Sequence, residues 1–147
     1  MPYINHDQID FHYLEALSGG PNPTTFVFQH GLGGDTERVL ELLGLLPGFG
    51  LLGLDCRGHG KTKPLGDVEK LSFDSFADDV IALLDRLQVR RVSLGGTSMG
   101  AGVANAVTYP STRKREVDVN LRDHLHRLVV QQCRLIAPLL HCFERRR

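Results

Sequence analysis

The sequence predicts an α/β protein with a mostly parallel sheet flanked by helices. Three observations carry this. Short β-prone runs alternate with helical periodicity, glycine-rich turns follow those runs, and the motifs that bear chemistry fall at their carboxyl ends. Ile9 to Leu17 alternates (Ile9, Phe11, Tyr13) and reads as an early strand that stops at a Ser-Gly-Gly-Pro-Asn-Pro loop. Thr25 to Gln29 reads as the next strand. Asp35 then caps a helix carrying Val39, Leu40, Leu42, Leu43 and Leu46, ended by Pro47-Gly48. Phe49 to Leu54 is a continuous apolar run, expected to be a strand buried on both faces. After a polar loop over residues 61–70, Ser72 caps a helix whose inner stripe is Phe73, Phe76, Val80, Leu83, Leu84 and Leu87. Arg91 to Leu94 is the strand that precedes a small-residue helix.

Composition bounds the class. The chain has 147 residues, 41% hydrophobic and 23% charged, which suits one globular domain with a real core. No run of 18 apolar residues occurs and the amino terminus has no basic-then-apolar signal pattern, so a cytoplasmic protein without membrane contact is expected. Three cysteines (Cys56, Cys133, Cys142) make no disulfide framework. The formal net charge of zero is a cancellation. Residues 111–147 carry nine basic against four acidic side chains, net +5, and the body is −5, so the overall balance gives no reason to expect a nucleic-acid partner.

Gly96-Thr97-Ser98-Met99-Gly100 is the most informative stretch. It is a G-x-S-x-G motif between a strand-like run and a helix. A strand-to-helix turn tight enough to project the serine brings the positions two before and two after against other backbone, where a Cβ would clash. The turn also sets the Ser98 hydroxyl at the positive end of the following helix, where developing negative charge is favoured. Upstream, Phe26-Val27-Phe28 runs into Gln29-His30-Gly31-Leu32-Gly33-Gly34-Asp35, a turn able to aim backbone N–H groups at an oxyanion. Leu51 to Asp55 leads into Cys56-Arg57-Gly58-His59-Gly60.

In order and spacing, HGLGGD, GLDCRGHGKT and GGTSMGAGVA resemble the α/β-hydrolase fold, most closely its compact esterase and enol-lactonase branch, over residues 10–110. The resemblance implies a cofactor-independent serine hydrolase of an ester, lactone or similar small molecule. It implies Ser98 as nucleophile and the backbone N–H groups of Leu32 and Met99 as oxyanion donors, each worth about 3–4 kcal/mol in the transition state. His30 and His59 read as loop-organising residues, as do Asp55 and Arg57, and Cys56 as a small apolar residue near a strand end. Gly60-Lys61-Thr62 is no phosphate loop, because Asp55 stands where its first glycine belongs. No metal site is expected: His124, His126, Cys133, His141 and Cys142 match no common ligand spacing.

The resemblance stops at Pro110, which divides the chain into an N-terminal hydrolase-like part, 1–110, and a divergent basic tail, 111–147. All 16 glycines precede the tail. In the tail only Glu116 to Leu121 could be a strand, whereas Leu121, Leu125, Leu128, Val129 and Ile136 have helical spacing with a break at Pro138. The triad acid and histidine that the family places after the nucleophile have no match. The tail is thus either an out-of-frame continuation or a genuine short product whose helix caps the sheet; in the second case His124 or His126, oriented by Asp118 or Asp123, would be the candidate base. Impaired catalysis is expected, with a non-catalytic truncated pseudo-hydrolase or binding module as the alternative, and with self-association through an exposed sheet edge.

Overall fold

A computed structural model describes residues 2–17, 24–45, 47–90 and 92–109. The expected tail, 111–147, with its candidate base and metal-ligand residues, lies outside the described residues, as does Leu46. Among the described residues five strands and three α-helices follow in the order β1 (Tyr3–His6), β2 (Ile9–Leu17), β3 (Thr24–Gln29), α1 (Thr36–Leu43), β4 (Phe49–Leu54), α2 (Phe73–Arg86), β5 (Val92–Gly96) and α3 (Met99–Thr108), with a single 3-10 turn at Val68–Lys70 before α2. The strands form one sheet in the order β1-β2-β4-β3-β5.

The α/β class holds, with a sheet that is mixed. β4-β3-β5 are parallel, and β1 and β2 add two antiparallel pairings at one side. β1 is absent from the sequence reading. It is joined to β2 by Asp7 and Gln8, both at positive φ (50° and 62°), a turn made without the Asn-Gly pair that usually announces it.

Period-two alternation along β3 feeds two cores. Val27 packs with Leu52, Leu54, Phe11 and Tyr13 against Phe76, Val80 and Leu83 of α2 and Val103 and Val107 of α3. Phe26 and Phe28 face the other way, with Leu51 and Val39 of α1. β4 is buried on both faces as its apolar run requires.

The helix caps fall where expected: Asp35 accepts a hydrogen bond from the Arg38 amide, and Ser72 from the Ser75 amide. Other details differ. α1 stops at Leu43 because Gly44 takes the positive-φ C-cap, so Pro47-Gly48 lie beyond it and Leu42 faces solvent. Phe73 is also half exposed; it starts α2 one turn outside the core stripe and leaves the helix at an angle that lays its ring on Gly102 of α3. β5 is described from Val92 and runs on past the expected Leu94 to Gly96, so the strand itself delivers the serine turn. No helix among the described residues is long and apolar enough to cross a membrane.

Candidate active site

Ser98 sits at the turn from β5 into α3. Its backbone lies at φ 51° and ψ −115°, a region that a residue with a Cβ rarely adopts, and its exposed side chain makes no capping hydrogen bond to the helix. Two glycines make this geometry possible. A Cβ on Gly96 would lie 2.3 Å from the Gly100 carbonyl carbon, and one on Gly100 would lie 2.1 Å from the Gln29 carbonyl oxygen. The turn closes through the Gly100 amide, which donates to the Thr97 carbonyl at 2.9 Å. The Thr97 amide in turn donates to the Gln29 carbonyl at 3.1 Å, which ties the turn to the end of β3.

The parallel ladder between β3 and β5 runs to the pair Gln29–Gly96, so the two following loops leave the sheet side by side. They touch at Gly31, whose missing Cβ would lie 3.3 Å from the Thr97 oxygen and 3.5 Å from Cβ of Ser98. Leu32 follows at once, 80% exposed. The main-chain amides of Leu32 and Met99 donate no hydrogen bond to any described residue, although those of Gly34, Gly100 and Ala101 around them all do. Ser98, Leu32 and Met99 therefore come from two adjoining loops at one end of the sheet.

The third loop, after β4, holds its shape through buried polar contacts. Asp55 accepts from the Thr36 amide (2.7 Å), the Lys61 amide (2.9 Å) and Nδ1 of His12 (2.9 Å), so it joins α1, this loop and β2. Burial pushes the Asp55 carboxyl up, but the amides of Lys61 and Thr36 and the His12 ring outweigh it, and the group lies below its ordinary value. Arg57 makes a two-pronged contact with Asp79 of α2, at 2.7 and 2.8 Å, and reaches Asp7 in the first hairpin turn at 3.0 Å. Asp79 holds the Arg57 guanidinium protonated, while burial raises Asp79 above the usual carboxylate range against the pull of Arg57. Burial pushes the Cys56 thiol up to about 12, and its S–H faces Oε1 of Gln29, so it is an inert packing residue. Lys61 pairs with Glu37 at the surface.

His30 and His59 lie beside the crevice with their rings 5.1 Å apart, and both are engaged by backbone. His30 Nδ1 is 2.8 Å from the Gly31 oxygen and its Nε2 accepts from the Cys56 amide at 3.0 Å; His59 Nδ1 is 2.9 Å from the Arg57 oxygen. Both contacts fit the loop-organising roles read from the sequence. Among the described residues no carboxylate or imidazole is hydrogen-bonded to Ser98. The sequence reading missed His12, Asp79 and Asp7. Asp79 alone left a signal: it lies three residues after Phe76 and four before Leu83, a carboxylate on the apolar face of α2.

A strained, glycine-enclosed serine at a strand–helix turn, beside a glycine loop on the neighbouring parallel strand, defines the class of protein. The chain belongs to the alpha/beta hydrolase fold family, which residues 24–111 match. It is 32% identical over 116 residues to the sn-1-specific diacylglycerol lipase ABHD11 of Danio rerio, covering 76% of this chain and 36% of that protein. To the non-heme chloroperoxidase CPO-A1 of Kitasatospora aureofaciens it is 36% identical over 98 residues, 65% of this chain and 34% of that one. The crystal structure of the enol-lactonase from Burkholderia xenovorans LB400 superposes with a TM-score of 0.66 at 25% identity, covering 75% of this chain and 42% of that chain. The chain thus spans about a third of the length of the curated relatives it matches.

Proposed function

We propose that the chain carries the nucleophile half of a serine hydrolase acting on a small-molecule ester or lactone. The observation that supports this most is the exposed Ser98 at positive φ, one residue before an amide that no described residue engages and beside a second such amide at Leu32. In this reading Ser98 Oγ attacks the carbonyl carbon. The charge that develops on the carbonyl oxygen is met by the N–H groups of Leu32 and Met99 and by the N-terminal end of α3. A diacylglycerol lipase and an enol-lactonase among the similar proteins agree with an ester or lactone as the bond broken.

His30 has both ring nitrogens occupied, Nδ1 by the Gly31 oxygen and Nε2 by the Cys56 amide, and among the described residues no hydrogen bond joins His59 to Ser98. Without a base, serine-triad turnover falls about a million-fold, with roughly a thousand-fold over water retained through binding and the oxyanion donors. The absence of an imidazole or carboxylate hydrogen-bonded to Ser98 among the described residues favours a second reading, a non-catalytic pseudo-hydrolase that binds through the crevice or through the edge of β5, the last strand in the described sheet.

Intact-mass analysis after reaction with a fluorophosphonate separates the two. A single adduct that disappears in Ser98→Ala supports the hydrolase. A cooperatively folded chain that takes up no adduct leaves only the binding reading.

A further inference from the structure

We propose that His30 is a positioning residue whose fixed tautomer aims the Leu32 N–H into the Ser98 crevice. The proposal rests on the hydrolase reading of Ser98 and adds to it the device that sets one oxyanion donor. The His30 ring is 2% exposed and spans two loops. Nε2 receives the Cys56 amide proton at 3.0 Å, so that nitrogen must be bare. The proton of the neutral ring is then on Nδ1, which donates to the Gly31 carbonyl 2.8 Å away. Only one tautomer satisfies both contacts.

The Gly31 carbonyl and the Leu32 N–H belong to the same peptide plane and point in opposite directions. Holding the oxygen therefore fixes the direction of the hydrogen. A second donor, the Gly34 amide at 3.0 Å, grips the same oxygen, so the plane is pinned from two sides. The pinned plane adjoins Ser98, because Gly31 is packed against Thr97 and Cβ of Ser98. A shift of a few tenths of an ångström in this donor matters, since an oxyanion donor acts only when aimed at the place where charge appears.

Protonation would undo the arrangement. A second proton on Nε2 faces the Cys56 N–H, and one of the two contacts must break. The charged and titratable groups around the ring are His59 from the loop after β4, Asp55 at the end of β4 and Asp35 at the start of α1. Burial is the strongest influence and lowers the His30 pKa below its ordinary value; the Gly31 carbonyl and the two carboxylates oppose this, and His59 reinforces it. The neutral ring therefore persists at pH values where an exposed histidine is already charged.

Two measurements on the full chain test this. In a sample with 15N-labelled histidine, long-range NMR correlations should show His30 protonated on Nδ1 and bare on Nε2. On acidification below pH 6.5, the Leu32 and Cys56 amide signals should move with the His30 midpoint. An Nε2–H tautomer, or a Leu32 amide that ignores the titration, overturns the proposal. The second measurement is the rate of fluorophosphonate reaction at Ser98 in His30→Asn and His30→Gln. The Asn amide nitrogen can take the place of Nδ1 and keep the donor to Gly31. The Gln oxygen can take the place of Nε2 and keep the acceptor for Cys56 but not the donor. We expect His30→Asn to stay within about five-fold of wild type and His30→Gln to slow by about 30-fold or more. Equal slowing of the two would assign His30 a merely structural role and overturn the proposal. A folded wild type that never reacts removes the hydrolase reading, and the amide titration still decides whether His30 sets the Leu32 plane.

Discussion

The serine turn over residues 96–100 and the loop over residues 55–62 hold backbone in unusual places by opposite means. The turn works through missing atoms: Gly96 and Gly100 let main chain occupy the space where a Cβ would stand. The loop works through added ones, with Asp55 and Arg57 as hubs joining β2, α1, α2 and the first hairpin. A steric demand falls on neighbours in sequence and leaves a motif. A polar clamp joins positions 22, 43 and 50 residues apart and leaves none.

Substitutions that add an atom to the turn or remove one from the clamp sharpen that contrast. Gly100→Ala should be the most damaging, because the new Cβ meets the Gln29 carbonyl of the central sheet, which has nowhere to go. A loss of about 5 kcal/mol, or no folding at all, is expected in urea unfolding. Gly33→Ala is the control: its φ of 72° is unfavourable but nothing lies within 4 Å, so about 1–2 kcal/mol is expected. Similar losses at the two positions would show that close approach is not what the turn requires. On the clamp side, Asp79→Ala leaves the buried Arg57 with only the partly exposed Asp7, and should cost about 3–4 kcal/mol. A change below 1 kcal/mol would mean that water or a rearranged Asp7 replaces the lost partner.

The same contrast decides what could be read from the sequence. The positions of Ser98, Leu32 and Met99 were legible because glycine spacing encodes the turn and the neighbouring loop. The bounds of β2 and β4 were legible from alternation in one and a continuous apolar run in the other. β1 was not, because its turn uses Asp7-Gln8 and its strand is short and mostly exposed. Leu42 and Phe73 were assigned to apolar faces by helical period alone, but α1 ends early and Phe73 lies at the first turn of its helix, where the chain has barely reached the core. His12 and Asp7 became meaningful only once the fold had brought their partners to them, whereas Asp79 stood out as a carboxylate on an apolar helix face without naming Arg57 as its partner.

Two smaller effects refine the comparison. Asp55→Asn keeps the shape but loses the negative acceptor shared by Thr36, Lys61 and His12, and about 2 kcal/mol should be lost at pH 7. Because the folded carboxyl lies below its ordinary value of 3.8, its stabilisation is complete above that value and is lost as pH falls through the lower folded one. The gap in thermal midpoint between wild type and variant should therefore close below pH 3.8. A gap that persists into strong acid would put the effect on shape and not on charge. Ser98→Gly should raise stability by about 1 kcal/mol by relieving the positive φ, while abolishing any reaction with fluorophosphonate. A lower melting temperature would show that the serine sits there without strain.

The β3–β5 ladder also governs which lengths of chain the protein can tolerate. Its pairs run from Thr25–Val92 to Gln29–Gly96, and they set the register that brings Gly31 beside Ser98. One residue inserted within either strand would displace one loop against the other by about 3.3 Å and turn its side chains to the opposite face. The same insertion among residues 64–67, outside regular structure, costs only a few tenths of a kcal/mol in closure entropy. Variation in length across this fold should therefore gather in the connections and spare the two five-residue stretches that keep Ser98 and the Gly31 loop in step.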